Sequence, residues 1–178
     1  MTQTLEQQLI AAARKGYFLR VQQLLAEGAD AKTQNSQALL LAAMNGHTEC
    51  VRLLIPHTDA KANDSRALQL AAYGGHTECV DMLIAVSDPT ADGSRALELA
   101  AYEGHLDVVQ LLIPVSDPQA KNSEALRVAS EWGHAACVRL LIPVSDQKAN
   151  DSVALRTAAY HERLDVIDLL WDVSDTAS

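Results

Sequence analysis

The chain has 178 residues, is 48% apolar but only 4% aromatic, and carries a net charge of −9. That charge argues against nucleic acid or an anionic membrane surface as partner, because both are held by Lys and Arg set against phosphates. No apolar run reaches the roughly 20 residues of a membrane span, and the opening MTQTLEQQLIAAARKG lacks the basic segment and apolar core of a secretory signal. The expected compartment is the cytoplasm, with export by a non-classical route left open.

The first stretch, residues 4–34, opens with a helix from about Leu5. Leu5, Leu9, Ile10 and Ala13 lie on one side of it, and Glu6, Gln7, Gln8, Arg14 and Lys15 lie elsewhere. One wet side is what a terminal cap of a repeat array requires. Gly16 ends this helix as a left-handed cap.

From there the chain copies itself. Leu39, Leu68, Leu97, Leu126 and Leu155 follow one another at a step of 29 residues, and the series Ser36 to Ser152 and Asp59 to Asp175 keep the same step. A period of this size marks a stacked repeat protein. The units are 35–63, 64–92, 93–121, 122–150 and 151–178, all in one domain spanning 1–178. Each opens on Ser, expected to cap the N-terminus of the helix that follows. That helix reads x-A-L-x-L/V-A-A/S and ends at Gly46, Gly75, Gly104 or Gly133. A mostly apolar second helix follows, such as residues 78–84, and needs cover from its own partner helix and the next unit. The connector, as in PVSDPQAKN at 114–122, has Pro114 to stop the helix and an Asp whose side chain bonds its own backbone in a turn. The last unit differs: Glu162-Arg163 replaces Gly-His, Trp171 replaces Ile, and a polar tail closes the chain at 175–178, as in a C-terminal cap.

Cysteine and histidine keep to slots as well. Cys50, Cys79 and Cys137 share a slot with Val108 and Val166, which reads as a small buried apolar position. Copies stacked roughly 8–10 Å apart cannot form disulfides, which need Cα atoms within about 7 Å. The thiols are expected to be free, buried and inert. His47, His76, His105 and His134 repeat at the same spacing, too far apart to share a zinc ion at about 2 Å. They are expected to hydrogen-bond within the turn between the helices. No phosphate loop, H-E-x-x-H or Cys-x-x-Cys is present, so no cofactor, metal or catalytic group is expected.

The run from Leu68 to Leu83, L-x-L-A-A-x-x-G-H-x-E-x-V-x-M-L, resembles the ankyrin repeat, as does LLAEGADAK at Leu24–Lys32. The resemblance covers nearly the whole chain. It implies an all-α, right-handed solenoid of about six helix-turn-helix units. The period is shorter than the usual 33 of ankyrin repeats, and the missing residues fall where that family makes a β-hairpin finger. The family's Thr-Pro-Leu-His is replaced by Arg-Ala-Leu-Gln at 66–69.

By the same resemblance, the two positions before Gly-His face a partner on the concave side. They hold Tyr73, Tyr102, Trp132 and Tyr160, four of the seven aromatics. Tyr and Trp are enriched at binding hot spots; packing of the rings on the neighbouring helix is the other reading. Two adjacent variable slots, with the pre-Gly-His pair, bring Arg66, Arg95, Arg127, Glu98, Glu103 and Glu131 to the same face, where they would set orientation and selectivity. The expected function is non-catalytic binding of a protein partner whose identity the residues do not specify. An inhibitor or immunity protein, an effector acting inside a host cell and, in a different class, an enzyme or metal protein are the alternatives. The chain alone is expected to be a monomer, with self-association through the aromatic stripe as the alternative.

Overall fold

The computed structural model describes residues 3–175. Every regular element among them is helical, with no strand. Two compact units divide the chain, Met1–Asp88 and Pro89–Ser178. The first holds α1 (Leu5–Arg14), α2 (Phe18–Ala26), α3 (Thr33–Met44), α4 (Thr48–Leu54), α5 (Ala62–Tyr73) and α6 (Thr77–Ile84). The second holds α7 (Ala91–Glu103), α8 (Leu106–Leu112), α9 (Ala120–Trp132), α10 (Ala135–Leu141), α11 (Ala149–Tyr160) and α12 (Leu164–Asp175). Of the polar tail, residues 176–178 lie outside the described residues.

Odd-numbered helices pack side by side within each unit, α1 on α3 on α5 and α7 on α9 on α11, and each packs against the even-numbered helix that follows it. The Ala-Ala pairs explain the close approach. Ala42, Ala43, Ala71 and Ala72 in the first unit, and Ala100 and Ala101 in the second, are fully buried. The Leu series fills what remains: Leu39, Leu68, Leu97 and Leu126 are all 0% exposed, each worth roughly 1.5–3 kcal/mol of apolar burial. Cys50, Cys79 and Cys137 are free and buried, like Val108 and Val166 in the same slot.

The connectors are built without a hairpin. After α4, α8 and α10 the chain tightens into one 3-10 turn, Ile55–His57, Ile113–Val115 and Ile142–Val144, with Pro in each. Pro114 therefore ends α-helical pairing by narrowing the helix rather than halting it. An Asp turn follows: Asp59 Oδ1 accepts from the Lys61 N–H at 3.0 Å, and Asp117 and Asp146 do the same two residues on at 2.9 Å.

Three consecutive residues then adopt left-handed backbone: Gln34-Asn35-Ser36, Asn63-Asp64-Ser65, Asp92-Gly93-Ser94 and Lys121-Asn122-Ser123. The middle slot is Asn, Asp, Gly and Asn in turn, the types that tolerate this region best. The Ser expected as an N-cap has a different task. An N-cap needs extended backbone, whereas Ser65 has φ 60 and is buried. Its Oγ accepts from the N–H of Asp88 at 2.8 Å; Ser36 holds Asp59 at 2.9 Å, Ser94 holds Asp117 at 2.7 Å and Ser123 holds Asp146 at 2.8 Å. Each Ser thus pins the next connector.

The histidines also reach between copies rather than across their own turn. His47 Nε2 lies 3.0 Å from the Arg14 carbonyl, His76 Nε2 3.1 Å from that of Met44, and His134 Nε2 2.9 Å from that of Tyr102. A carbonyl only accepts, so Nε2 carries the proton. The ring fills the space that a glycine leaves in the copy before: a Cβ on Gly16, Gly46 or Gly104 would fall 2.5–2.6 Å from the next His Nδ1. These glycines also have φ between +68 and +76. At the last junction Arg163 takes the place of His. Its Nε donates to the Glu131 carbonyl at 3.0 Å, and its Cδ would lie 2.9 Å from a Cβ on Gly133.

Gly46→Ala is expected to cost about 2 kcal/mol or more, from positive φ and overlap with His76 together. His76→Ala should cost about 1 kcal/mol. In the double variant the overlap is gone, so urea denaturation should show a coupling of about 1 kcal/mol; additive losses would contradict the interlock. Ser65→Ala is expected to cost about 1 kcal/mol by removing the part-buried bond to the Asp88 N–H, and to speed hydrogen exchange at the Asp88 amide.

Candidate protein-binding surface

All seven aromatic residues of the chain, Tyr17, Phe18, Tyr73, Tyr102, Trp132, Tyr160 and Trp171, are exposed. The core is aliphatic because its slots are sized for Ala, Ser, Val, Cys and Leu, and a ring fits none of them. Tyr73, Trp132 and Tyr160 are the last residues of α5, α9 and α11, and Tyr102 is the last but one of α7. The helix ends there because Gly or its substitute must follow, so each side chain is delivered to the rim of its repeat.

In the second unit Tyr102 and Trp132 come together edge to face, with centroids 5.1 Å apart and planes at 68°. They remain 36% and 46% exposed. Contact with each other therefore covers only part of each ring. Tyr160 is 85% exposed and stands edge-on to His161 at 5.0 Å. In the first unit Tyr73 occupies the corresponding slot at 45% exposure, and Met44 ends α3 at 49%. Met44, in the same variable slot as Tyr73, and Trp171 are also exposed, and so are Leu106 and Leu164, which reading by repeat slot passed over. The signal for Leu106 and Leu164 was present, since their slot holds Thr48 and Thr77 elsewhere.

The charged candidates are mostly engaged with neighbours on their own helix. The two variable slots lie three residues apart and pair in the three middle copies: Arg66 donates to Gln69 at 3.0 Å, Arg95 pairs with Glu98, and Arg127 forks onto Glu124 with two bonds of 2.7 Å. The sign of the pair reverses in α9, which keeps the pair while swapping its ends. Arg127 also bonds Glu131 at 2.7 Å. Hydrogen bonds to Glu124 first, and to Glu131, push its pKa above the ordinary guanidinium value against an opposing effect of burial. Glu98 is buried, and Lys121 approaches both it, at 3.5 Å, and Asp92, at 3.4 Å. Glu103 makes no ion pair with any described residue and is half-buried.

Burial pushes the thiols of Cys50, Cys79 and Cys137 above the ordinary range, so none is an activated nucleophile. Among the described residues no group of three or more His, Cys, Asp or Glu is placed to hold a metal ion. No described helix is long and apolar enough to cross a membrane.

Stacked helix pairs joined through Gly and His, with variable residues at the rim, define a helical repeat protein. The family model of ankyrin repeats (three copies) matches residues 9–92, 58–122 and 97–177. The chain belongs to the ankyrin-repeat family. It is similar to the human ASB11 ankyrin repeat domain, solved by crystallography, with a TM-score of 0.81 and 22% identity over 92% of this chain and 82% of that one. None of the curated proteins matches it. Ankyrin repeats are protein–protein interaction modules and are generally non-catalytic.

Arg127→Met is expected to lower stability by about 1 kcal/mol, because it takes the shared guanidinium from Glu124 and Glu131 and leaves Glu131 only the His161 ring at 3.8 Å. Raising salt should narrow the difference in thermal melts, whereas a salt-independent loss would mean that the stem, and not the charge, matters.

Proposed function

We propose that this ankyrin-repeat protein binds a protein partner without chemistry of its own, and that the rings at the ends of its first helices are the anchors. In the second unit these are Tyr102, Trp132 and Tyr160; in the first, Tyr73. The observation that carries the reading is the exposure of these rings in a protein whose core takes no aromatic residue at all. Large rigid amphipathic side chains left in water contribute most where a partner later covers them. Of the six charged candidates, Glu103 forms no ion pair with a described residue and is open to a partner. Arg66, Arg95, Arg127, Glu98 and Glu131 act mainly by holding the helix surface on which the rings stand, and Arg127 and Glu131 present a paired, mixed-charge border that favours selectivity over raw attraction.

The test compares wild type with a variant carrying Ala at positions 73, 102, 132 and 160, both used for affinity capture from lysate of the native cell. Circular dichroism should show unchanged helicity, because these side chains are not core. A partner held by wild type should be lost from the folded variant, and each single change at Tyr102 or Trp132 should weaken binding by about 2 kcal/mol or more in calorimetry. Equal capture by both proteins would move the binding surface elsewhere.

A further inference from the structure

A groove of about 260 Å³ lies where the end of α9 meets the start of α12. Trp132 and Leu164 give it apolar walls, and Glu162, Arg163 and Asp165 give it charge. Arg163 is held on one side by its bond to the Glu131 carbonyl. Glu162 and Asp165 are exposed and pair with no described residue. Two free carboxylates and one tethered guanidinium leave the groove negative, beside an indole that is 46% exposed.

Glu162 has no backbone reason to be there. Its φ is 56, and at this slot Gly104 and Gly133 of the same unit adopt the left-handed conformation without a side chain to strain. The left-handed backbone belongs to the slot, as it does at the connector residues Gln34 and Lys121, so the turn accounts for the conformation of Glu162 and leaves its carboxylate unexplained. Asp165, in the first turn of α12, is explained in part by the helix dipole; Glu162 is not.

We infer that this groove receives an arginine side chain of the bound partner. The guanidinium stacks on the Trp132 ring while its fork meets the carboxylates of Glu162 and Asp165. Trp is the strongest aromatic partner of a cation, and a planar, weakly hydrated guanidinium suits a stacked and forked site better than an ammonium. The net charge of −9 works in the same direction by attracting basic surfaces over distance. The inference rests on the proposed protein-binding function, with Trp132 belonging to both.

The probe is an acetylated, amidated pentapeptide with Arg at the centre and Gly at the other positions, beside the same peptide with citrulline, the neutral isostere. Binding is read by NMR as the shift of the Trp132 indole N–H, with the Trp171 indole as internal control. The Arg peptide should shift Trp132 saturably. The citrulline peptide, high salt, or the variant Glu162→Gln/Asp165→Asn should each weaken binding about tenfold. That variant removes no buried contact and should fold normally. Equal binding of the two peptides, no shift with either, or an unchanged affinity in the variant would overturn the inference. Failure of the broader reading looks different. A captured partner that needs the four rings but tolerates Glu162→Gln/Asp165→Asn leaves protein binding intact and removes the arginine site. A partner indifferent to Tyr73, Tyr102 and Tyr160 but lost with the carboxylate variant does the reverse.

Discussion

A helix pair of this length cannot bury both of its faces alone, so each copy depends on how closely the next one can approach. Here the approach is set by a glycine that lacks a Cβ and by the imidazole that occupies the vacated space, as Gly46 and His76 show in the first unit and Gly104 and His134 in the second. The ring also donates to a helix-terminal carbonyl that would otherwise have no partner within its helix. A single contact therefore fixes the distance, caps a helix and joins two copies. The Ser-to-Asp bonds act at the opposite end of the first helix, where each holds the connector of its own copy, so polar contacts flank the apolar middle of the helix at both ends.

This tight spacing decides where bulk can go. Between helices there is room for Ala, Ser, Cys, Val and Leu, and the rings are left at the rim. Exposure of Tyr102, Trp132 and Tyr160 is thus a consequence of how the interior is built, as well as a resource for binding. The same logic separates the charged residues. Those three residues apart on one helix face satisfy each other, so Arg95 and Glu98, or Glu124 and Arg127, are committed before any partner arrives. Glu103 at the end of α7, Glu162 between α11 and α12, and Asp165 in the first turn of α12 are not.

Departures from the repeat carry as much information as the repeat. Arg163 reproduces both parts of the histidine's role, the bond to a preceding carbonyl and the packing over Gly133, with a different side chain. Glu162 keeps the backbone of the missing glycine but adds a carboxylate. One substitution conserves a structural task, whereas the other adds a chemical group that the fold does not require.

Periodicity alone determined that the protein is a helical repeat, because a step of 29 residues held over five copies marks equivalent environments whatever their shape. It also separated interior slots from rim slots, since a position alternating between Cys and Val has to be small and apolar, and one alternating among Met, Tyr and Glu does not. What the sequence could not show is which atoms meet across long stretches of chain. Ser65 looks like a helix cap when read along the chain, but its partner is the amide of Asp88, 23 residues on. His76 looks like part of a turn, but its partner is the Met44 carbonyl 32 residues earlier. The three left-handed residues at each connector left only a faint trace, an Asn, Asp or Gly before each Ser. Local residue patterns report local energies. Contacts between copies depend on the stacking distance, which exists only once the helices have packed.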